Sequence, residues 1–137
     1  MKSIAAFVTG AVDVPNAGAE MIAEVGRGLS KGGFKVLKEQ PDERGGALMC
    51  RKGKTTFAVS IISGRTQQNQ QQWLVRTGEM RGCFSVGRTD PARLEPLLLA
   101  LAELLPRIPR AESVRWFDDI DSAVNRMESG RAAPNES

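Results

Sequence analysis

Apolar residues in this chain change rhythm repeatedly, and the changes mark out the elements. The opening run Ile4-Ala5-Ala6-Phe7-Val8 predicts a first strand over Ser3–Val8. Over Ala17–Lys31 the residues Ile22, Val25, Gly26 and Leu29 recur at i, i+3, i+4 and i+7, which is one face of a helix. Asn16 is placed to cap its start, and Gly32-Gly33 to supply the left-handed stop at its end. Gly18, Gly26 and Gly28 each weaken such a helix by about 1 kcal/mol relative to alanine. Their concentration suits a helix that approaches a sheet closely.

The period then becomes two. Phe34 and Val36 alternate with Lys35 and Leu37, and Leu48 and Cys50 with Met49 and Arg51. Phe57, Val59 and Ile61 alternate with Ala58, Ser60 and Ile62, and Trp73 and Val75 with Leu74 and Arg76. Half-apolar runs broken by turn residues predict an antiparallel meander with one covered face. Lys52-Gly53 suits a tight hairpin between two of the runs, and the uncharged polar tract Thr66–Gln72 reads as a loop.

Helical spacing returns after Asp90-Pro91, where Leu94, Leu97, Leu98, Leu101, Leu104 and Leu105 form a stripe. Asp90 suits the N-cap and Pro91 the first helical position. Pro96 would remove a backbone hydrogen bond, so the helix is expected to start later, near Arg93, or to kink. Pro106 and Pro109 end it. The leucine stripe suits a helix covering the sheet; the alternative is a homodimer seam. A short strand, Ser113–Phe117, and a final helix, about Asp119–Ser129, complete the pattern, with Ile120, Ala123, Val124 and Met127 on one helical face. The expected fold is therefore α+β. It has a mainly antiparallel sheet of five to six strands with two or three helices on one face, in the order β-α-β-β-β-β-α-β-α. A single domain over 1–130 is followed by a frayed tail, 131–137.

Composition narrows the chemistry. The 137 residues include no histidine and no tyrosine, which excludes Ser-His and Cys-His nucleophiles, a histidine base and histidine metal ligands. Cys50 and Cys83 match neither a zinc spacing nor a CxxC pair. Both read as small buried hydrophobes, a disulfide between them being the alternative in an oxidising compartment. Val8-Thr9-Gly10-Ala11 resembles the start of a dinucleotide-binding turn, but the glycines that should follow are replaced by Asp13, Val14, Pro15 and Asn16. Asp118, Asp119 and Asp121 could bind a hard cation, but as a cluster at a helix start they are explained by capping. Glu39, Asp42 and Glu43 beside Pro41 and Gly45-Gly46 solvate a turn. No cofactor is implied.

Charge is distributed unevenly. Residues 1–30 carry a net −1, residues 31–88 a net +7 and residues 89–137 a net −3. If Leu48, Cys50, Phe57, Val59, Trp73 and Val75 face the helices, the opposite sheet face carries Lys35, Arg51, Thr56, Ser60 and Arg76, interspersed with Leu37, Met49, Ile62 and Leu74. Arginine beside adaptable aliphatic surface suits a protein partner. A nucleic-acid reader would display aromatics, and here Phe57 and Trp73 point inward. The candidate binding residues are accordingly Lys35, Met49, Arg51, Thr56, Ser60, Leu74 and Arg76, with Arg51 and Arg76 expected to be neighbours; a plainly solvated face is the alternative.

The expected function is that of a small, non-catalytic, soluble interaction protein of bacterial type: an adaptor, antidote or chaperone-like module with another protein as partner. A pI of about 9.2 argues against a nucleic-acid-mimicking antidote. Nucleic-acid binding through the basic residues 31–88 is the second reading, and a small enzyme using carboxylates without histidine the third. No apolar run approaches the ~18 residues that span a bilayer. Met1-Lys2-Ser3, the apolar run and Ala17-Gly18-Ala19 resemble a signal peptide, but Thr9, Gly10 and Asp13 interrupt the pattern. The expected location is the cytoplasm, with no membrane contact.

Overall fold

The computed structural model describes residues 3–9, 17–42, 44–65, 70–81, 85–86, 91–108 and 111–117. The expected caps Asn16 and Asp90, Cys83, Thr66–Asn69, Pro109, the three aspartates, the final helix and the tail lie outside the described residues. The elements run β1 (Ile4–Thr9), α1 (Ala17–Lys31), β2 (Lys35–Asp42), β3 (Gly45–Lys52), β4 (Thr55–Arg65), β5 (Gln71–Arg81), β6 (Ser85–Val86), α2 (Pro91–Leu104), a 3₁₀ turn (Leu105–Arg107) and β7 (Ala111–Phe117). The sheet order is β2-β3-β4-β5-β1-β7, with β6 paired to β5 off the main path. All the pairings are antiparallel. This is the expected α+β class, with β6 added.

One face of the sheet takes both helices. Met21, Ile22, Val25 and Leu29 of α1 and Leu94, Leu97 and Leu101 of α2 are buried in one cluster with Ala5, Phe7, Leu48, Cys50, Phe57, Val59, Ile61, Trp73 and Val75. The strand members are the alternate residues of β1, β3, β4 and β5, as a half-buried strand requires. The indole Nε1 of Trp73, opposite Phe7 in the pairing of β5 with β1, donates to Thr9 Oγ1 at 3.0 Å. The largest core side chain thereby keeps its polar edge satisfied. Thr9 belongs to the Thr-Gly pair noted above, and here its half-buried hydroxyl serves as the acceptor for that indole.

The end of α1 is set by two hydrogen bonds, Phe34 N to Leu29 O and Gly33 N to Ser30 O, with Gly33 at φ +94°. That is a Schellman motif, which satisfies two carbonyls left over at the helix end and turns the chain into β2. Its flanking apolar residues, Leu29 and Phe34, are both buried in the cluster. The other α1 glycines allow close approach. A Cβ on Gly18 would lie 2.8 Å from Asp42 O, and one on Gly28 would lie 3.0 Å from Leu104 of α2.

Several expected boundaries are corrected. The second helix begins at Pro91 and continues through Pro96; a favourable first residue and the buried leucines outweigh one missing hydrogen bond. Gln71 and Gln72 belong to β5, which runs on to Arg81, because ladder pairing with β4 and β1 holds residues whose polarity suggested a loop. A bulge between Val36 and Lys38 shifts the register of β2 against β3. Another in β7 sits opposite β1, where Ser113 takes φ 57°. Among the described residues no helix is long and apolar enough to cross a membrane.

The tightest backbone passage is at the start of β3. Gly45 and Gly46 have φ of +141° and +129°, and a Cβ there would lie 2.0 Å from Ile61 O and 2.2 Å from Gln40 O. Gly46→Ala is expected to cost about 3 kcal/mol through strain and clash. Gly53→Ala, at φ +63° with nothing within 4 Å, should cost only about 1 kcal/mol. Urea unfolding of the two variants checks this, and equal losses would overturn the assignment.

Candidate functional site

The face turned away from the helices can be laid out row by row from the register. At one end Lys35 of β2 stands opposite Arg51 of β3, and Arg51 opposite Thr56 of β4. The next row is Lys38, Met49, Ala58 and Gly78. The third is Gln40, Ala47, Ser60, Arg76, Ile4 and Phe117, and the fourth Asp42, Gly45, Ile62, Leu74, Ala6 and Arg115. The expected face is therefore assembled: Lys35, Met49, Arg51, Thr56, Ser60, Leu74 and Arg76 all lie on it.

Two expectations about that set change. Leu74 is only 5% exposed, because β1 enters the sheet beside β5 and Ile4 packs on it, with Ala6 and Phe117 around the pair. It supports the face from beneath instead of offering contact. Arg51 and Arg76 are not neighbours. They sit on β3 and β5 with β4 between them, two rows apart, which places their Cα atoms roughly 16 Å apart at ordinary strand spacing. Lys35, Arg51 and Arg76 are exposed, while Met49, Thr56 and Ser60 are half-buried. Ile62 and Leu37 are 48% and 40% exposed.

The electrostatics are one-sided. Lys35 opposite Arg51 is a like-charge cross-strand pair, which costs stability. Lys54 lies in the adjoining hairpin. The ion pairs among the described residues are elsewhere: Arg27 with Glu24, Arg93 with Glu79 and Arg107 with Glu103. None uses Lys35, Lys38, Arg51, Lys54 or Arg76. Asp42, at the far end, accepts from the Arg44 backbone N–H at 2.8 Å.

Two other places bring charged side chains together with buried or apolar ones. Glu79 is 6% exposed on the helix-covered face and accepts from Arg93 Nη1 of α2 at 3.2 Å. The pair ties the first turns of α2 to β5. Period two from Trp73 through Val75 and Thr77 already places Glu79 on the inner face, a signal available in the sequence. A groove of about 880 Å³ lies between α1 and α2, floored by Phe34 and lined by Leu99, Leu104, Glu95, Lys31 and Lys52. Lys52 Nζ sits 5.0 Å from the centre of the Phe34 ring, a cation–π contact. Among the described residues no cluster of three or more His, Cys, Asp or Glu side chains is placed to hold a metal ion.

Cys50 is buried in the core, and burial pushes its thiol from 9.0 up to about 12. The thiolate needed for nucleophilic or redox chemistry is disfavoured there. Compared with protein-family models, with curated proteins and with solved structures, the chain matches none.

Two measurements follow from this geometry. Lys35→Glu converts a repulsive cross-strand pair into an attractive one and is expected to raise stability by about 0.2–1 kcal/mol in urea unfolding; a loss would contradict the pairing. Because the folded state holds the Cys50 thiol neutral, its contribution is complete below pH 9.0 and is lost as pH rises toward 12. Wild-type stability should therefore fall more steeply across that alkaline range than that of Cys50→Ala, even though the variant starts lower for lost packing. Parallel slopes would count against a buried thiol.

Proposed function

We propose that this protein is a non-catalytic interaction module, an adaptor, antidote or chaperone-like binder, that engages another protein through the open face of its sheet. The observation that carries the reading is the asymmetry of that sheet. Both helices bury their apolar residues on one side, and the other presents Arg51 and Arg76 exposed around half-buried Met49 and exposed Ile62. Arginine supplies planar, two-pronged hydrogen bonding, and Met and Ile supply contact area that gains from leaving water. The central positions are small, Ala47, Ala58 and Gly78, so a partner can approach the backbone closely. In this reading the protein acts in the cytoplasm.

Nucleic-acid binding is the second reading, favoured by the net +7 of residues 31–88 and by the unpaired cations on the face. Against it, among the described residues of this face the aromatic is Phe117, at the β7 edge and packed on Ile4, so the described rows between the cations hold no stacking platform. A carboxylate enzyme has less support, since the buried Glu79 is engaged by Arg93.

The test is photo-crosslinking in the native host, with a benzophenone amino acid placed at Met49 or Ile62 on the open face, or at Leu99 on the helix side. Protein adducts are expected from Met49 and Ile62 and not from Leu99, identified by mass spectrometry. Adducts confined to Leu99, or nucleic acid in place of protein at Met49, would overturn the proposal.

A further inference from the structure

Resting on that reading, we infer that the partner's contact segment is acidic, with carboxylates on either side of an apolar stretch. The register supplies the pattern. Cations stand at Lys35 and Arg51 in the first row, at Lys38 on the β2 end of the second and at Arg76 in the third, and from β3 to β5 the second row is Met49, Ala58 and Gly78. A segment running diagonally from β3 to β5 meets positive charge, then a low apolar strip, then positive charge again. Its carboxylates would be roughly 16 Å apart, the separation of Arg51 from Arg76 at ordinary strand spacing.

Three observations favour an acidic protein segment over other anions. The cations are exposed and make no ion pair within the described residues, so they are free to take an external carboxylate. The sheet sets Lys35 directly opposite Arg51, an arrangement that opposes folding and is relieved when an anion sits between the two. The strip between the charges is aliphatic and small, which serves leucine, valine or isoleucine side chains and offers a base nothing to stack on.

The experiment uses the full chain and fluorescence anisotropy with four labelled probes: a 12-residue peptide with a central stretch of four leucine or valine residues and glutamates on either side, polyglutamate of the same length, a 20-nucleotide oligothymidylate, and phosphatidylserine vesicles. The peptide with the flanked apolar stretch should bind, and about tenfold more tightly than polyglutamate, because only it fills the apolar strip. Arg51→Glu with Arg76→Glu should weaken it at least about tenfold, and Met49→Ala about fivefold, while Arg27→Glu on the helix side leaves it unchanged. The milder pair Arg51→Gln and Arg76→Gln, checked for an unchanged unfolding midpoint, separates lost recognition from misfolding. Equal binding of the two peptides, preference for the oligonucleotide or the vesicles, or indifference to the arginine changes would overturn the inference. So would concentration-dependent dimerisation abolished by the same arginine changes, which would identify a second copy of this chain as the occupant. Repeating the Met49 crosslinking with both arginines reversed distinguishes the two levels: undiminished protein adducts would remove the acidic chemistry and leave the protein-partner reading intact, whereas no adducts in wild type would remove both.

Discussion

Strand β3 can run between β2 and β4 only because positions 45 and 46 carry no side chain. Neighbouring carbonyl oxygens lie 2.0 and 2.2 Å from where the two Cβ atoms would stand. The passage pins β3 against both partners, Gly46 facing Pro41 on one side and Ile61 on the other. The sidedness of the sheet depends on that pinning. A slip of one residue would turn Leu48 and Cys50 to water and bring Met49 and Arg51 under the helices. The division between a packed face and an open one is thus enforced first by backbone contact and then by the burial of the core.

Parity along the strands was readable from the sequence wherever each strand pairs with its neighbour in the chain. Leu48, Cys50, Phe57, Val59, Trp73 and Val75 lie inside as their period demands, and α1 occupies Ala17–Lys31 as the spacing of Ile22, Val25 and Leu29 predicts. What escaped was non-local. Leu74 looks like an exposed outward residue until Ile4, seventy positions earlier, is laid beside it by β1. The pairing of β1 with both β5 and β7 leaves no local signature. The Val36–Lys38 bulge likewise breaks the alternation that had set Leu37 beside Lys35.

The candidate face shows the same limit. Its membership follows from period two, but the distance between its arginines follows from strand order and stagger, which period two does not contain. Arg51 and Arg76 lie on β3 and β5 with β4 between them. Their separation changes the chemistry: two adjacent guanidinium groups would grip one anion, whereas two distant ones cannot share one. The charge asymmetry along the chain acquires a location at the same time. Five of the eleven basic residues of 31–88, Lys35, Lys38, Arg51, Lys54 and Arg76, stand on the open face or in its hairpin, where the ion pairs of the helices do not offset them.

The place of β1 in the sheet also bears on how the chain is made. Phe7 pairs opposite Trp73, and Ile4 opposite Phe117, so this strand is synthesised long before either neighbour exists. On the ribosome α1 and the β2–β3–β4 hairpins can form from contiguous residues while Phe7 and its flanking apolar side chains wait without partners. Closing such distant pairs is slow, because the loop entropy is spent before the contacts return it. The β2–β3–β4 part of the meander is thus available before β5, the first partner of β1, has been made. That interval is when aggregation or a holding chaperone would compete with β5 and β7 for it.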